Sequence, residues 1–544
     1  MYLAKTAQLG QKHPTAFTVS LAFPLAQKTM LLKFDCLKVG QVGHKQSFAF
    51  SSFSGTGFPK IITEISFWLS NIMICDCAKP PTTECLLADF ICIGFYTLPN
   101  DCLASKTRFP KPKISWQQNY SHLRFTAVSS IIEDLIARKI FNNRGEETIE
   151  VDVITNGGFG RASAPAGKSR GKAEVVYYPQ GGVEAAIKKV DDLIAPELAG
   201  LNSDYQEEID TTLHELDGTT DFKNIGGNTA FAISLANAEA AANSHGLLMF
   251  QFIGGNSATT LPYPLGNCLS GGQHARGKGP DIQEFLALPH GAESFLEAQT
   301  ANTQIHKKLG DALKKKSSQF NGGKSDEGAW ISNIDTLDAF EVMAKVCEEV
   351  GNEIDFECGF GLDVAASSLW KQKDEKYVYD NEDKKRDTAE QLEFMLELIE
   401  KYHLAYVEDP FNEEDYESFA ELTRKAKNCL ICGDDLFTTN TERLNNGIKI
   451  NAGNAIIIKV NQIGTLSDAA STIETAQRHG YDPVVSHRSG DTCDWHIAHL
   501  AVAYNCPLIK TGVVEGARIA KLNELIRIEH FLGNRAKMAD LKIR

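Results

Sequence analysis

A barrel of alternating strands and helices, of the TIM-like (β/α)8 class and preceded by a smaller α+β domain, is the fold that the sequence predicts for residues 128–544. Three observations predict it. Apolar stretches end at Asp363, Glu408, Asp434, Lys459, Ser486 and Lys510, and successive ends lie 45, 26, 25, 27 and 24 residues apart. That spacing is one strand-plus-helix unit per interval. The stretches show no polar alternation, Ala455-Ile456-Ile457-Ile458 being the clearest case, so they read as strands covered on both faces. Each ends on a charged or polar residue, and in such a barrel the strand ends share one rim, where chemistry collects.

Three segments follow from a pass along the chain: 1–127, 128–259 and 260–544. The texture changes at Ser129. Ile131–Phe141 leads into Asn142-Asn143-Arg144-Gly145. Glu147–Ile154 then alternates as a strand, Asn156-Gly157-Gly158 turns the chain, and Phe159–Ser163 returns, which predicts a β-hairpin. Ala164–Gly171 is Gly-rich and polar, suited to a mobile loop. Helices are predicted over Val183–Leu198, Tyr205–Leu216 and Asn228–Ser244, the last rich in alanine. Leu261-Pro262-Tyr263-Pro264 marks the passage to the barrel. Within it, a helix over Asp335–Val350 is expected to bury Leu337, Phe340, Ala344 and Cys347 and to stop at Gly351. Another, from Thr388, carries a capping box of Thr388 with Gln391 and is expected to bury Leu392, Met395 and Ile399.

The net charge of −15 disfavours a nucleic-acid or anionic-membrane partner. Its distribution is uneven. Residues 1–127 hold 13 Lys and Arg against 6 Asp and Glu, about +7, so the remainder carries −22. Pro, Gly and Ser break every apolar run there, neither Ile61–Cys75 nor Cys85–Leu98 makes a convincing membrane span, and no secretory signal is recognisable. This segment is expected to be poorly ordered, a targeting or accessory extension, or sequence upstream of the true start, with Val128 as an alternative start. The 13 cysteines split unevenly: Cys36, Cys75, Cys77, Cys85, Cys92 and Cys102 fall in residues 1–127, where their spacing matches no standard zinc pattern, and the other seven are scattered singly in the manner of small buried hydrophobes in a reducing compartment.

The residues at the predicted rim define the chemistry. Asp363, Glu408 and Asp434 bring three carboxylates from successive strands to one place, where they would repel unless something positive sat among them. Three hard oxygen ligands with room for water and substrate describe a magnesium site. Salt bridges to Lys459 and Lys510 are the bland alternative, but three acids and two lysines at strand ends exceed what packing needs. Lysine acts as a base only once burial or nearby positive charge brings its pKa down from about 10.4 toward neutrality. Glu284 and Glu327, on loops before strands, are acids whose pKa a neighbouring carboxylate would raise, as a general acid requires.

At this point the chain resembles enolase, over roughly residues 131–544. The resemblance is carried in order by Asn143-Arg144-Gly145, Gly271-Gly272-Gln273-His274, Gln283-Glu284-Phe285, Asp326-Glu327-Gly328, Leu362-Asp363 and Glu408-Asp409-Pro410-Phe411. It continues through Asp434-Asp435-Leu436, Lys459-Val460-Asn461-Gln462-Ile463-Gly464, Ser486–Gly490, Ile509-Lys510-Thr511-Gly512 and Ala520-Lys521-Leu522-Asn523. It looks nearer to the archaeal type. The resemblance implies magnesium-dependent, reversible dehydration of 2-phosphoglycerate to phosphoenolpyruvate in glycolysis and gluconeogenesis, with two magnesium ions per site. By resemblance, Lys459 is the base, Asp363, Glu408 and Asp434 hold the first metal, and Ser169 in the mobile loop holds the second. Lys510 stabilises the enolate, and Glu327 with Glu284 beside it protonates the departing hydroxide. Arg488 and Ser489 clamp the phosphate, and His274 and His487 close on the substrate. A cytoplasmic homo-oligomer, dimer or octamer, is implied as well.

Departures fall outside those ligands. The loop pattern Ser-Gly-Ala-Ser is here Ala166-Gly167-Lys168-Ser169, the usual histidine four residues after that serine is Ala173, and one residue more than in the common eukaryotic form separates His274 from Glu284. Lys168 bears on how the loop closes. The alternatives are a dehydratase of another acid, which would leave the Arg488–Ser489 clamp unpaired, and a catalytically silent scaffold, which would not need both lysines and all five acids.

Overall fold

A computed structural model describes residues 130–168, 171–275, 279–541 and 543, together with the backbone of three strands nearer the amino terminus. Those strands, Ala16–Leu25, Lys28–Val42 and Lys45–Thr56, form an antiparallel meander, with register shifts at Asp35/Cys36 and Lys38/Gly40. The rest of 1–127 lies outside the described residues.

The body that follows opens with an antiparallel sheet of Ile132–Phe141, Glu147–Thr155 and Phe159–Ser163. The predicted hairpin is its second and third strands. The helix Gly227–Ser244 lies against it, buried almost all round. Alanines and facing glycines permit that closeness: a Cβ on Gly160 would stand 2.0 Å from the Ala236 carbonyl oxygen. The stretch predicted as one helix over 183–198 is helical throughout but changes winding. Gly182–Lys189 is α, Val190–Ile194 is wound as π, and Ala195–Leu198, which holds Pro196, is a last α turn of the same continuous run.

Eight strands close the barrel: Tyr263–Ser270, Glu284–Leu288, Gly359–Asp363, Tyr406–Glu408, Leu430–Gly433, Ala455–Ile458, Asp482–Ser486 and Leu508–Gly512. The last pairs with the first in parallel. Expectation and structure differ at the second strand, which runs antiparallel to both neighbours. Its first residue, Glu284, therefore sits on the same rim as the last residues of the others, opposite Asp363 and Ser270. The long first interval of 45 residues is also explained: a small meander of Trp370–Lys371, Lys376–Tyr379 and Lys384–Arg386 is inserted there.

The absence of polar alternation has the expected cause. Along Ala455–Ile458, Ala455 and Ile457 belong to the apolar filling that also holds Leu265, Leu288, Tyr406 and Leu508, whereas Ile456 and Ile458 join the larger core that includes the helices. Two helix details shift from the sequence reading. Thr336–Ile354 runs past Gly351 and buries Ala339, Phe340, Met343, Val346, Cys347 and Val350, leaving Leu337 45 % exposed. The capping box before Gln391 belongs to Asp387 and Glu390, one residue earlier than predicted, and the buried face is Gln391, Met395 and Leu398.

The small domain is bolted to the barrel by buried polar groups. Asp210 accepts from the amide and hydroxyl of Ser467, at 3.0 and 2.6 Å, at the head of helix Leu466–Arg478. His496 lies buried with Nε2 3.3 Å from Glu239 of the small domain and Nδ1 3.6 Å from Asp494. Burial disfavours charge on His496, but the two carboxylates outweigh it and its pKa is raised to about 9. A histidine raised above its unfolded value of about 6.5 stabilises fully below that value and loses the contribution as pH climbs through the folded one. The thermal unfolding midpoint is therefore expected to fall between pH 6.5 and 9 more steeply in the unaltered protein than in His496→Gln. Parallel profiles in calorimetry would remove His496 as the cause.

Candidate active site

Each rim residue owes its place to a strand. Asp363 and Glu408 are the last residues of theirs, and Asp434 and Lys459 follow theirs directly. Lys510 is not at a strand end as expected; it stands mid-strand in Leu508–Gly512, beside Ser486. Its ammonium lies 2.9 Å from Asp363 Oδ2, 2.7 Å from Glu408 Oε2 and 3.0 Å from Glu284 Oε2. Burial works against that charge, but the three acids outweigh it and hold Lys510 well above its ordinary value. Lys459 Nζ donates to Asp434 Oδ2 at 2.5 Å. Burial, the largest influence on Lys459, is likewise overcome by Asp434, and the net direction is upward. Asp434 is held below the usual carboxylate range: Lys459 outweighs the effect of burial.

The other side of the cavity joins two acids and two histidines. His274 Nδ1 lies 3.3 Å from Glu284 Oε1 and 4.0 Å from Glu327 Oε1, and His487 Nε2 lies 3.5 Å from Glu327 Oε2. Asn267 donates to the same Glu327 oxygen at 2.9 Å. Burial and then the Glu327 charge push Glu284 up to about 7, while the flanking histidines hold Glu327 down against its own burial.

The third wall is the predicted clamp. Arg488 is buried, and the Ser489 hydroxyl accepts from the Lys168 amide at 2.9 Å and from Arg144 at 3.4 Å. Ala166 and Gly490 exchange backbone hydrogen bonds, which docks the Gly-rich loop on the clamp. Lys168 Nζ donates to the Gln273 carbonyl at 2.6 Å, so that loop also reaches the one bearing His274.

His274, Glu284, Glu327, Asp363, Asp434, Lys459, His487, Arg488, Ser489 and Lys510 thus share one cavity, and Glu408 is bonded to its wall through Lys510. Ser169 lies outside the described residues. Sequence reasoning missed several supports. Asp409 accepts from the amides of Asp434 and Asp435, at 3.0 and 2.8 Å, and so aims Asp434. Asp409, Asp434 and Asp435 form one cluster of acidic oxygens. The signal was present, an acid directly after a strand-end acid. Arg518, fully buried, donates to the carbonyls of Arg488, Ser489 and Asp326 and fixes two loops at once. Nothing in its local sequence marks it.

A hard divalent cation suits this donor set. Glu408 Oε1 is buried without a hydrogen-bond partner, and an ammonium already sits among three of the acids.

Comparison with known families agrees with this geometry. The family described as "Enolase, N-terminal domain" matches residues 132–253, and "Enolase, C-terminal TIM barrel domain" matches 258–544. The chain belongs to the enolase family. Curated enolases are similar over most of its length. The enolase of Methanothermobacter thermautotrophicus is 52% identical over 415 residues, 76% of this chain and all of that protein. That of Methanosphaera stadtmanae is 51% identical over the same shares, and that of Pyrobaculum aerophilum 48% identical over 418 residues, 76% and 99%. Family membership makes the chain a hydro-lyase, a phosphopyruvate hydratase, with a metal cofactor and a phosphorylated small-molecule substrate. Among the described residues no helix is long and apolar enough to cross a membrane.

Proposed function

We propose that this enolase converts 2-phosphoglycerate reversibly to phosphoenolpyruvate with two magnesium ions, using the residues gathered on the rim. The observation that carries the reading is the convergence of Lys459, Lys510 and the acids Glu284, Glu327, Asp363, Glu408 and Asp434 on one cavity and its wall, with Arg488 and Ser489 lining the same cavity. Asp363, Glu408 and Asp434 would hold the first ion and Ser169 the second. Bound there, the ions supply positive charge against the substrate carboxylate and against the charge that develops when the neighbouring proton leaves.

Lys459 takes that proton. Its partner in this state is Asp434, which cannot serve an ammonium and a divalent cation at full strength together. Engagement of Asp434 elsewhere removes the influence that keeps Lys459 protonated. Lys510 holds the substrate carboxylate end. Glu327 and Glu284 share one proton and pass it to the departing hydroxyl, with His274 and His487 against them. Arg488 and Ser489 grip the phosphate, a guanidinium being well matched to it. Arg488 is already paired with Glu174, so the expectation that a substrate without phosphate would leave the clamp unpaired does not hold; the phosphorylated substrate is supported by family membership. A coupled assay for phosphoenolpyruvate formed from 2-phosphoglycerate with magnesium tests the reading; no turnover at any magnesium concentration would leave a silent scaffold.

The same proposal places the enzyme in the cytoplasm as a homo-oligomer, dimer or octamer, and sets residues 1–127 apart from the catalytic body of 128–259 and 260–544. A protein beginning at Val128 is expected to fold, bind magnesium and turn over within about twofold of the full chain, since every group named above lies beyond residue 143. Insolubility or inactivity of the shortened chain, with the full one active, would make the segment part of the enzyme.

A further inference from the structure

We propose that Glu174, in the small domain, is a positioning residue for the phosphate-gripping arginine. The inference rests on the assignment of Arg488 to the phosphate. Glu174 lies just beyond the Gly-rich loop, and its side chain is 3 % exposed. Its carboxylate is surrounded by donors. Oε2 accepts from Tyr177 at 2.8 Å and from Nη1 and Nη2 of Arg488 at 3.2 and 3.1 Å. Oε1 accepts from Arg488 Nη2 at 3.1 Å, Gln462 at 3.3 Å and the Gly171 amide at 3.3 Å. Arg488 gives its remaining Nη hydrogens to Asn461 Oδ1 at 2.9 Å and to the Tyr177 oxygen at 2.6 Å.

A guanidinium has five N–H groups. The four on Nη1 and Nη2 are all committed to Glu174, Asn461 and Tyr177, and among the described residues only the Nε edge has no protein partner. The phosphate therefore meets Arg488 along an edge whose direction Glu174 sets. The carboxylate also cancels much of the arginine's charge, so what it contributes to binding is orientation. A buried carboxylate with that many donors is not displaced by the incoming phosphate, because displacement would leave it unpaired away from water. Gln462 extends the frame: besides Glu174 it donates to Asp434 Oδ1 at 2.9 Å. One hydrogen-bonded chain thus runs from the arginine to the acid that faces Lys459.

The test is a pair of variants in two backgrounds. Glu174→Gln keeps size and acceptor but loses charge, and Glu174→Ala loses both. Glu174→Gln is expected to raise both KM for 2-phosphoglycerate and the inhibition constant of inorganic phosphate about tenfold, with kcat within about threefold. Glu174→Ala should lower kcat/KM about a hundredfold. In an Arg488→Ala background, adding Glu174→Gln should cost less than about twofold more, because its action runs through the arginine. Thermal unfolding checks that each variant is folded, and Glu174→Gln decides alone if Glu174→Ala is not. A fall in KM would mean that the carboxylate only neutralises Arg488, and full additivity across the two backgrounds would mean that it only supports the fold; either overturns the inference. If Arg488→Ala by itself leaves KM and phosphate inhibition unchanged, the phosphate assignment fails and this inference falls with it.

Discussion

Turnover by Lys459→Ala is expected to drop by ~10²–10⁴-fold or more, the range that loss of a general base gives, with the fold intact and KM little changed. Lys459 sits at the end of a strand whose packing it does not share, since Ala455, Ile456, Ile457 and Ile458 fill the two cores. Its ammonium touches Asp434, so removing it subtracts chemistry more than packing. The discriminating readout is exchange of the substrate's carbon-bound proton with solvent, measured by NMR. Exchange should vanish together with turnover. Near-normal exchange in the variant would assign the proton transfer to Lys510, the other amine of the cavity.

Chelation is the second large effect. Exhaustive removal of divalent ions should abolish activity reversibly, and magnesium should restore it. Asp363→Asn, Glu408→Gln and Asp434→Asn should each weaken magnesium binding in calorimetry, because each removes a hard anionic oxygen. A readout independent of turnover is stability. A ligand that binds only the folded chain at a hundred times its dissociation constant stabilises it by ~2.7 kcal/mol, so magnesium should raise the unfolding midpoint of the unaltered enzyme and do so less in the three variants. Full activity of a demetallated protein would sink the metal reading.

The sequence made the rim legible because chain spacing and residue type carry it. A carboxylate or an amine at the end of an apolar run, repeated every 24 to 27 residues, can be read without a structure. It was less clear where direction matters. Glu284 was visible as an acid before a strand, but its arrival on the rim depends on that strand running backward, which no local pattern announces. Lys510 was read as a strand end because the apolar run stops there, yet pairing carries the strand two residues further. Glu174 was missed for another reason. Glu174 and Arg488 are 314 residues apart, and their pairing exists only once both domains are folded. Leu337 fits a helical period but falls at the edge of the face that packs, and the period alone does not fix the centre of that face.

The backward strand has a consequence for insertions. Glu284 is fixed by its ladder on both sides, opposite Ser270 and opposite Asp363, so the length of the connection that precedes it has no say in where the side chain goes. Adding a residue to a connection costs little in closure entropy, which grows only with the logarithm of its length. An insertion between His274 and Glu284 would therefore leave the acid in register on the rim.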